Sequence, residues 1–194
     1  MIAKIVAQLV SFVLGPFIWI PLLLIIFVLK TNLPSNQINL LLPLLLILQV
    51  FFPLLYIMIA YKLKKISDLD LSKREERIIP IIVIFICLFI SLQIVKSFDS
   101  TILYRLYLFS ILVLAVNGFV TIFWKISFHM GINIVGSLLV NFLYHWQLPM
   151  LYFTIPLVYW SRLKLKRHTH AQLIVAFILN GVIVFLFLKG FNYL

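Results

Sequence analysis

Two of the polar stretches that interrupt an oily chain each bring a hydroxyl, a cation and an imidazole within a few residues of one another. One runs Lys125, Ile126, Ser127, Phe128, His129; the other runs from Ser161 to Gln172, with five residues between the Ser161-Arg162 pair and His168 and with His170 and Gln172 just beyond it. Arginine offers a planar fork of N–H donors that matches a tetrahedral oxyanion, and lysine adds a point charge. Beside a helix N-terminus, where backbone N–H groups point outward, such side chains are suited to holding phosphate. An anion site is therefore the chemistry that Arg162, Lys125 and the histidines suggest. At membrane depth ionisable groups are costly and mark function, whereas a solvated loop lysine needs no such explanation.

Composition sets the medium in which that site would work. Hydrophobic residues make up 64% of the 194 residues and charged residues 11%, with a mean hydropathy of +1.19, against about 25% charged residues in a soluble domain. The sequence is that of an all-α integral membrane protein, a single transmembrane domain over 1–194, and nucleic acid is not among its expected partners. A hydrocarbon core of roughly 30 Å asks for about 20 apolar residues per helical span. Spans are expected at 5–29, 38–61, 78–95, 102–124, 126–145, 147–162 and 170–189. The total is six or seven, because the sixth is short and carries Pro149 and Pro156, which cost it helix hydrogen bonds. The first stretch is too long for a signal-peptide core and lacks a small-x-small cleavage pattern, so it reads as a retained span. Cys87, the only cysteine, lies in an apolar run and reads as a small buried filler.

If successive spans alternate direction, the 62–77 loop, the Lys125–His129 junction and the Ser161–His170 hinge share one face, which collects twelve of the sixteen basic residues. The rule that cytoplasmic loops gather lysine and arginine explains Lys62, Lys64 and Lys65. A phosphate site better explains Arg162, Lys125 and the histidines. That basic face also holds His129, His168 and His170, while His145, beside Trp146, falls on the other face as an interface residue. His170 reads as a wet interfacial histidine. The carboxylates Asp68, Asp70, Glu75 and Glu76 all sit in one loop without ligand spacing, so no metal or other cofactor is expected.

The constellation resembles the type 2 phosphatidic acid phosphatase superfamily of membrane lipid phosphatases, over roughly residues 73–190. The third motif of that family, S-R-x5-H-x3-D, corresponds to "SRLKLKRHTHAQ" (161–172), and the second, P-S-G-H, to "ISFH" (126–129). The resemblance implies a bundle with a polar site at one membrane face and a metal-independent phosphatase acting on a lipid phosphate or prenyl phosphate. In it His168 is the nucleophile that forms a phosphohistidine, and His129 is the acid that protonates the leaving group and then activates water. Arg162 and Ser127 bind the phosphoryl oxygens. Lys125 is an added clamp inferred from position alone.

The chain also departs from the family pattern. Gln172 stands where the family has aspartate; a four-residue step keeps it on the helical face of His168, where an amide oxygen orients the ring but brings no negative charge. Thr169 to Gln172 is also T-x-x-Q, a capping box that would start the last helix with or without catalysis. Ile126 and Phe128 replace the proline and glycine of the second motif, and a packing serine with a histidine bonded between helices is an equally simple reading of Ser127 and His129. The first motif, K-x6-R-P, is absent as written. Its nearest substitute is "SKREERIIP" (72–80), from which Arg74 or Arg77 would reach the phosphate while Glu75 and Glu76 pair with neighbouring bases; a solvated charged turn fits the same residues. Two functions follow from different classes: a lipid phosphatase of the plasma membrane, or a noncatalytic scaffold or lipid-phosphate-binding subunit. A small transporter is disfavoured by the lack of paired repeats.

Overall fold

The computed structural model describes residues 2–191, and within them every regular element is helical. Among the described residues nine α-helices follow one another: α1 (Ile2–Val13), α2 (Pro16–Leu29), α3 (Ser35–Leu46), α4 (Phe52–Lys62), α5 (Ile78–Val95), α6 (Thr101–Phe123), α7 (Phe128–Leu143), α8 (Thr154–Lys164) and α9 (His170–Gly190). Five stretches are long and apolar enough to cross a membrane, namely Ile2–Leu29, Ser35–Lys62, Glu75–Val95, Thr101–Phe123 and His170–Gly190. The chain is a membrane-embedded helical protein. Cys87 is buried, as its apolar setting suggests.

Proline and glycine account for where the helices depart from the expected spans. The stretch expected as one helix over 5–29 is broken at Leu14 and Gly15, because Pro16 has no N–H and its ring disfavours helical geometry in the residue before it. There the Gly15 N–H turns back to the Phe12 carbonyl and the Ile18 N–H to the Gly15 carbonyl, each one residue short of the α-helical partner. The Leu14 carbonyl, which Ile18 would otherwise serve, instead accepts from the Asn133 side-chain amide at 2.7 Å. Between α3 and α4 the backbone widens into a π turn at Ile47–Phe51, just before Pro53. Inside it Gln49 donates to the Tyr107 hydroxyl at 2.6 Å. The expected 147–162 span is broken as well. Pro149–Phe153 forms a 3₁₀ turn, and α8 adds only 11 residues, about 16 Å at 1.5 Å per residue.

Contacts divide the chain into two compact units, and the boundary falls inside α2. One unit comprises residues 24–125. Here α5 packs on α6 and α4, around a core that includes Leu41, Leu45, Leu88, Leu92, Val95 and Leu103. The other comprises residues 1–23 and 126–194. In this unit α7 packs on α9 and α8, and α1 packs on α8. Small residues set these approaches, as is usual where helices meet in a membrane. A Cβ on Gly131 would stand 3.0 Å from the Asn180 amide nitrogen, and one on Gly136 would stand 2.9 Å from both Leu23 Cδ1 and the Trp19 ring. Trp19 is itself buried, so its ring has to shift to admit a methyl. Gly136→Ala is expected to destabilise this unit by about 1–3 kcal/mol, read as a lower apparent Tm of purified protein in detergent.

Candidate functional site

Ser127, His129, Arg162, His168 and Gln172 all belong to the unit built from residues 1–23 and 126–194. Three of its ionisable side chains are buried: Arg162 is 2% exposed, His168 7% and His129 9%. Ser127, fully buried, is the N-cap of α7, and its hydroxyl oxygen accepts from the Met130 N–H at 3.3 Å. That satisfies one of the four donors a helix start leaves over and places His129 in the first turn.

Arg162 lies in the last turn of α8 and donates from Nη1 to the Ser11 hydroxyl at 2.7 Å. Ser11 is in the last turn of α1, where helix carbonyls carry negative partial charge that favours a cation. His129 approaches the same turn of chain. A Cβ on Gly15 would lie 3.2 Å from His129 Nε2, and 2.7 Å from the Ser11 carbonyl oxygen. The guanidinium and the first imidazole therefore meet the single turn from Ser11 to Gly15, one through a hydrogen bond and the other across a glycine. Asn133 fastens that turn to α7: its amide nitrogen reaches both the Leu14 carbonyl and the His129 carbonyl, at 2.7 and 2.8 Å.

His168 lies on the connection between α8 and α9, which the Arg167 N–H anchors to the Arg162 carbonyl at 3.0 Å. Its Nδ1 is 3.0 Å from Gln172 Oε1. The same oxygen takes the Thr169 N–H at 3.2 Å, while the Thr169 hydroxyl accepts from the Gln172 N–H at 3.3 Å. This is the capping box that T-x-x-Q suggests, and it settles which way the amide faces. A backbone N–H can only donate, so the atom beside it is the carbonyl oxygen, and an oxygen facing Nδ1 requires the proton on Nδ1. In the neutral ring the lone pair is then on Nε2. One atom, the Gln172 Oε1, both takes the Thr169 N–H and faces the His168 ring.

Arg74 and Arg77 belong to the 24–125 unit. There Arg74 donates to the Phe123 carbonyl at 2.7 Å and pairs with Glu75 at 3.3 Å, while Lys73 pairs with Glu76. Buried Arg77 donates from Nε to the Leu71 carbonyl at 2.7 Å. Lys125, half-buried, closes that unit one residue before Ile126. His170 is exposed but not merely wet, since its Nδ1 is 2.7 Å from the Tyr159 hydroxyl. Among the described residues no three His, Cys, Asp or Glu side chains cluster closely enough to hold a metal.

Sequence reasoning missed Ser11, Gly15 and Asn133. The Gly15-Pro16 pair and the four-residue spacing of His129, Asn133, Ser137 and Asn141 along α7 were the available signals for the last two. For Ser11 there was none.

Thr169→Ala is expected to cost about 1 kcal/mol of stability through the lost cap while His168 keeps its Nδ1–H tautomer. Gln172→Ala should lose that tautomer preference. Nitrogen-15 NMR of histidine-labelled protein reads both. Comparison with known proteins finds no matching family model, no matching curated protein and no matching solved structure.

Proposed function

We propose that the chain is a phosphatase-like membrane protein of the type 2 phosphatidic acid phosphatase superfamily, hydrolysing a lipid phosphate or diphosphate without a metal. The observation that supports this reading best is the contact of Gln172 with His168, which puts the proton on Nδ1 and the nucleophilic lone pair on Nε2. A buried guanidinium and a second buried imidazole in the same compact unit supply the other two requirements of phosphoryl transfer, charge stabilisation and a proton donor.

In this scheme Arg162 holds the phosphoryl oxygens and His168 Nε2 attacks phosphorus as the bond to the lipid oxygen breaks. His129, protonated, gives its proton to the departing oxygen, which leaves a phosphohistidine and a neutral His129. The neutral ring then takes a proton from water as that water attacks phosphorus, the P–N bond breaks, and phosphate leaves. Gln172 orients the ring through its dipole but brings no charge to the imidazolium. In serine proteases the same exchange of carboxylate for amide costs about 10⁴-fold in turnover, so slow catalysis is expected. The topology that accompanies this reading is six or seven crossings of the plasma membrane, with α7 and α8 added to the five long stretches and the lipid tail lying among apolar helices.

A second reading, a noncatalytic lipid-phosphate-binding subunit, is favoured by one observation: the Gln172 oxygen already serves the Thr169 N–H, a structural duty that would persist without turnover. Phosphate release from phosphatidate and prenyl diphosphates by purified protein decides between them. The catalytic reading expects a phosphohistidine trapped on wild type, its loss with at least a 10³-fold drop in rate in His168→Ala, and a rate increase in Gln172→Asp. A wild type as silent as His168→Ala across the panel would overturn it and leave the binding subunit.

A further inference from the structure

Ser11 stands outside every motif of the sequence, yet its hydroxyl is the partner of the buried guanidinium in the proposed site. We infer that Ser11 is a positioning residue for oxyanion binding, fixing the plane of the Arg162 guanidinium that holds the phosphoryl group; this rests on the proposed phosphate site.

Three observations carry it. The bond from Arg162 Nη1 to Ser11 Oγ is short, at 2.7 Å, and both residues are buried, at 2% and 7% exposure. Water therefore competes little for either partner, and a hydrogen bond from a charged donor is at its strongest there. A guanidinium is planar, so anchoring one terminal nitrogen fixes the directions of the others. The second observation is the direction of the bond: Oγ accepts, and among the described residues it makes no other hydrogen bond. The hydroxyl proton is thus not committed to the carbonyl one helical turn back, where a helical serine commonly places it. The third is that the turn is held from α7. Asn133 binds the Leu14 carbonyl, and Gly15 leaves room for His129 Nε2 where a Cβ would lie 3.2 Å away. Ser11 is thereby indexed to the histidine as well as to the arginine.

The test compares wild type with Ser11→Ala, Ser11→Thr and Ser11→Val in detergent, measuring kcat and KM on phosphatidate and the affinity for orthovanadate as a phosphoryl mimic. Loss of the hydroxyl in Ser11→Ala is expected to raise KM and weaken vanadate binding by about tenfold, the scale of one charged hydrogen bond, with kcat within threefold and a lower Tm, since the buried guanidinium loses a partner; both constants are read well below the Tm of the variant. Ser11→Thr restores binding, and Ser11→Val, of similar shape without the hydroxyl, does not. Active protein in which Ser11→Ala equals wild type in KM and vanadate affinity overturns the role of Ser11 and leaves the phosphatase reading standing. So does a Val variant that binds as well as Thr. Wild type that binds vanadate through Ser11 but hydrolyses no lipid phosphate overturns the phosphatase reading and leaves Ser11 in place.

Discussion

A polar group withdrawn from water into an apolar interior must find its partner inside the protein, because leaving it unmade costs more than the bond itself contributes. In this chain that constraint decides which elements meet. Pro16 interrupts the first long apolar stretch, and in the turn around it the Ile18 N–H goes to Gly15 rather than to the Leu14 carbonyl; Asn133 of α7 supplies that carbonyl with a new partner. Once that bond is made, α1 ends against α7, and Ser11 is left where Arg162 of α8 can donate to it. The N-terminal stretch is thus tied to α7 and α8, more than a hundred residues on, by two hydrogen bonds, the first of which repairs the break.

The same economy governs the start of α9. Helix starts leave backbone donors over, and a nucleophilic imidazole needs one nitrogen held as a donor so that the other keeps its lone pair. A single amide oxygen, on Gln172, meets the Thr169 N–H and the His168 ring together. A carboxylate there would do both and add charge. The amide keeps the geometry and gives up the electrostatic part, so folding and chemistry at this position rest on different properties of one side chain.

Much of the helical layout was legible because apolar runs of span length and proline are local signals; the α5, α6 and α9 stretches lie within two residues of their expected limits. The pairing of Glu75 and Glu76 with neighbouring bases and the T-x-x-Q cap were legible for the same reason, since partners one to three residues apart can be read along the chain. What was not legible is long-range. Ser11 and Arg162 are separated by 151 positions, and a serine in an apolar helix carries no mark of the arginine it will meet. The break at Gly15 was written in the sequence but hidden by the hydropathy of its flanks, which makes a span look continuous whether or not its backbone is.

The polar ladder on α7 carries a consequence for how this helix can vary. Steps of four residues at 3.6 per turn advance the direction by about 40° each, so the stripe slants around the helix. Asn133 meets Leu14, while Ser137 meets Leu151 and Thr154 and Asn141 meets the Leu148 N–H, so the last two hold successive points of the 148–154 turn. The helix is keyed at three heights, like a bolt with staggered teeth. Adding or removing one residue anywhere between Asn133 and Asn141 would swing all that follows by about 100° and strip the keys beyond it, so length changes are tolerable only in the connections at either end of α7.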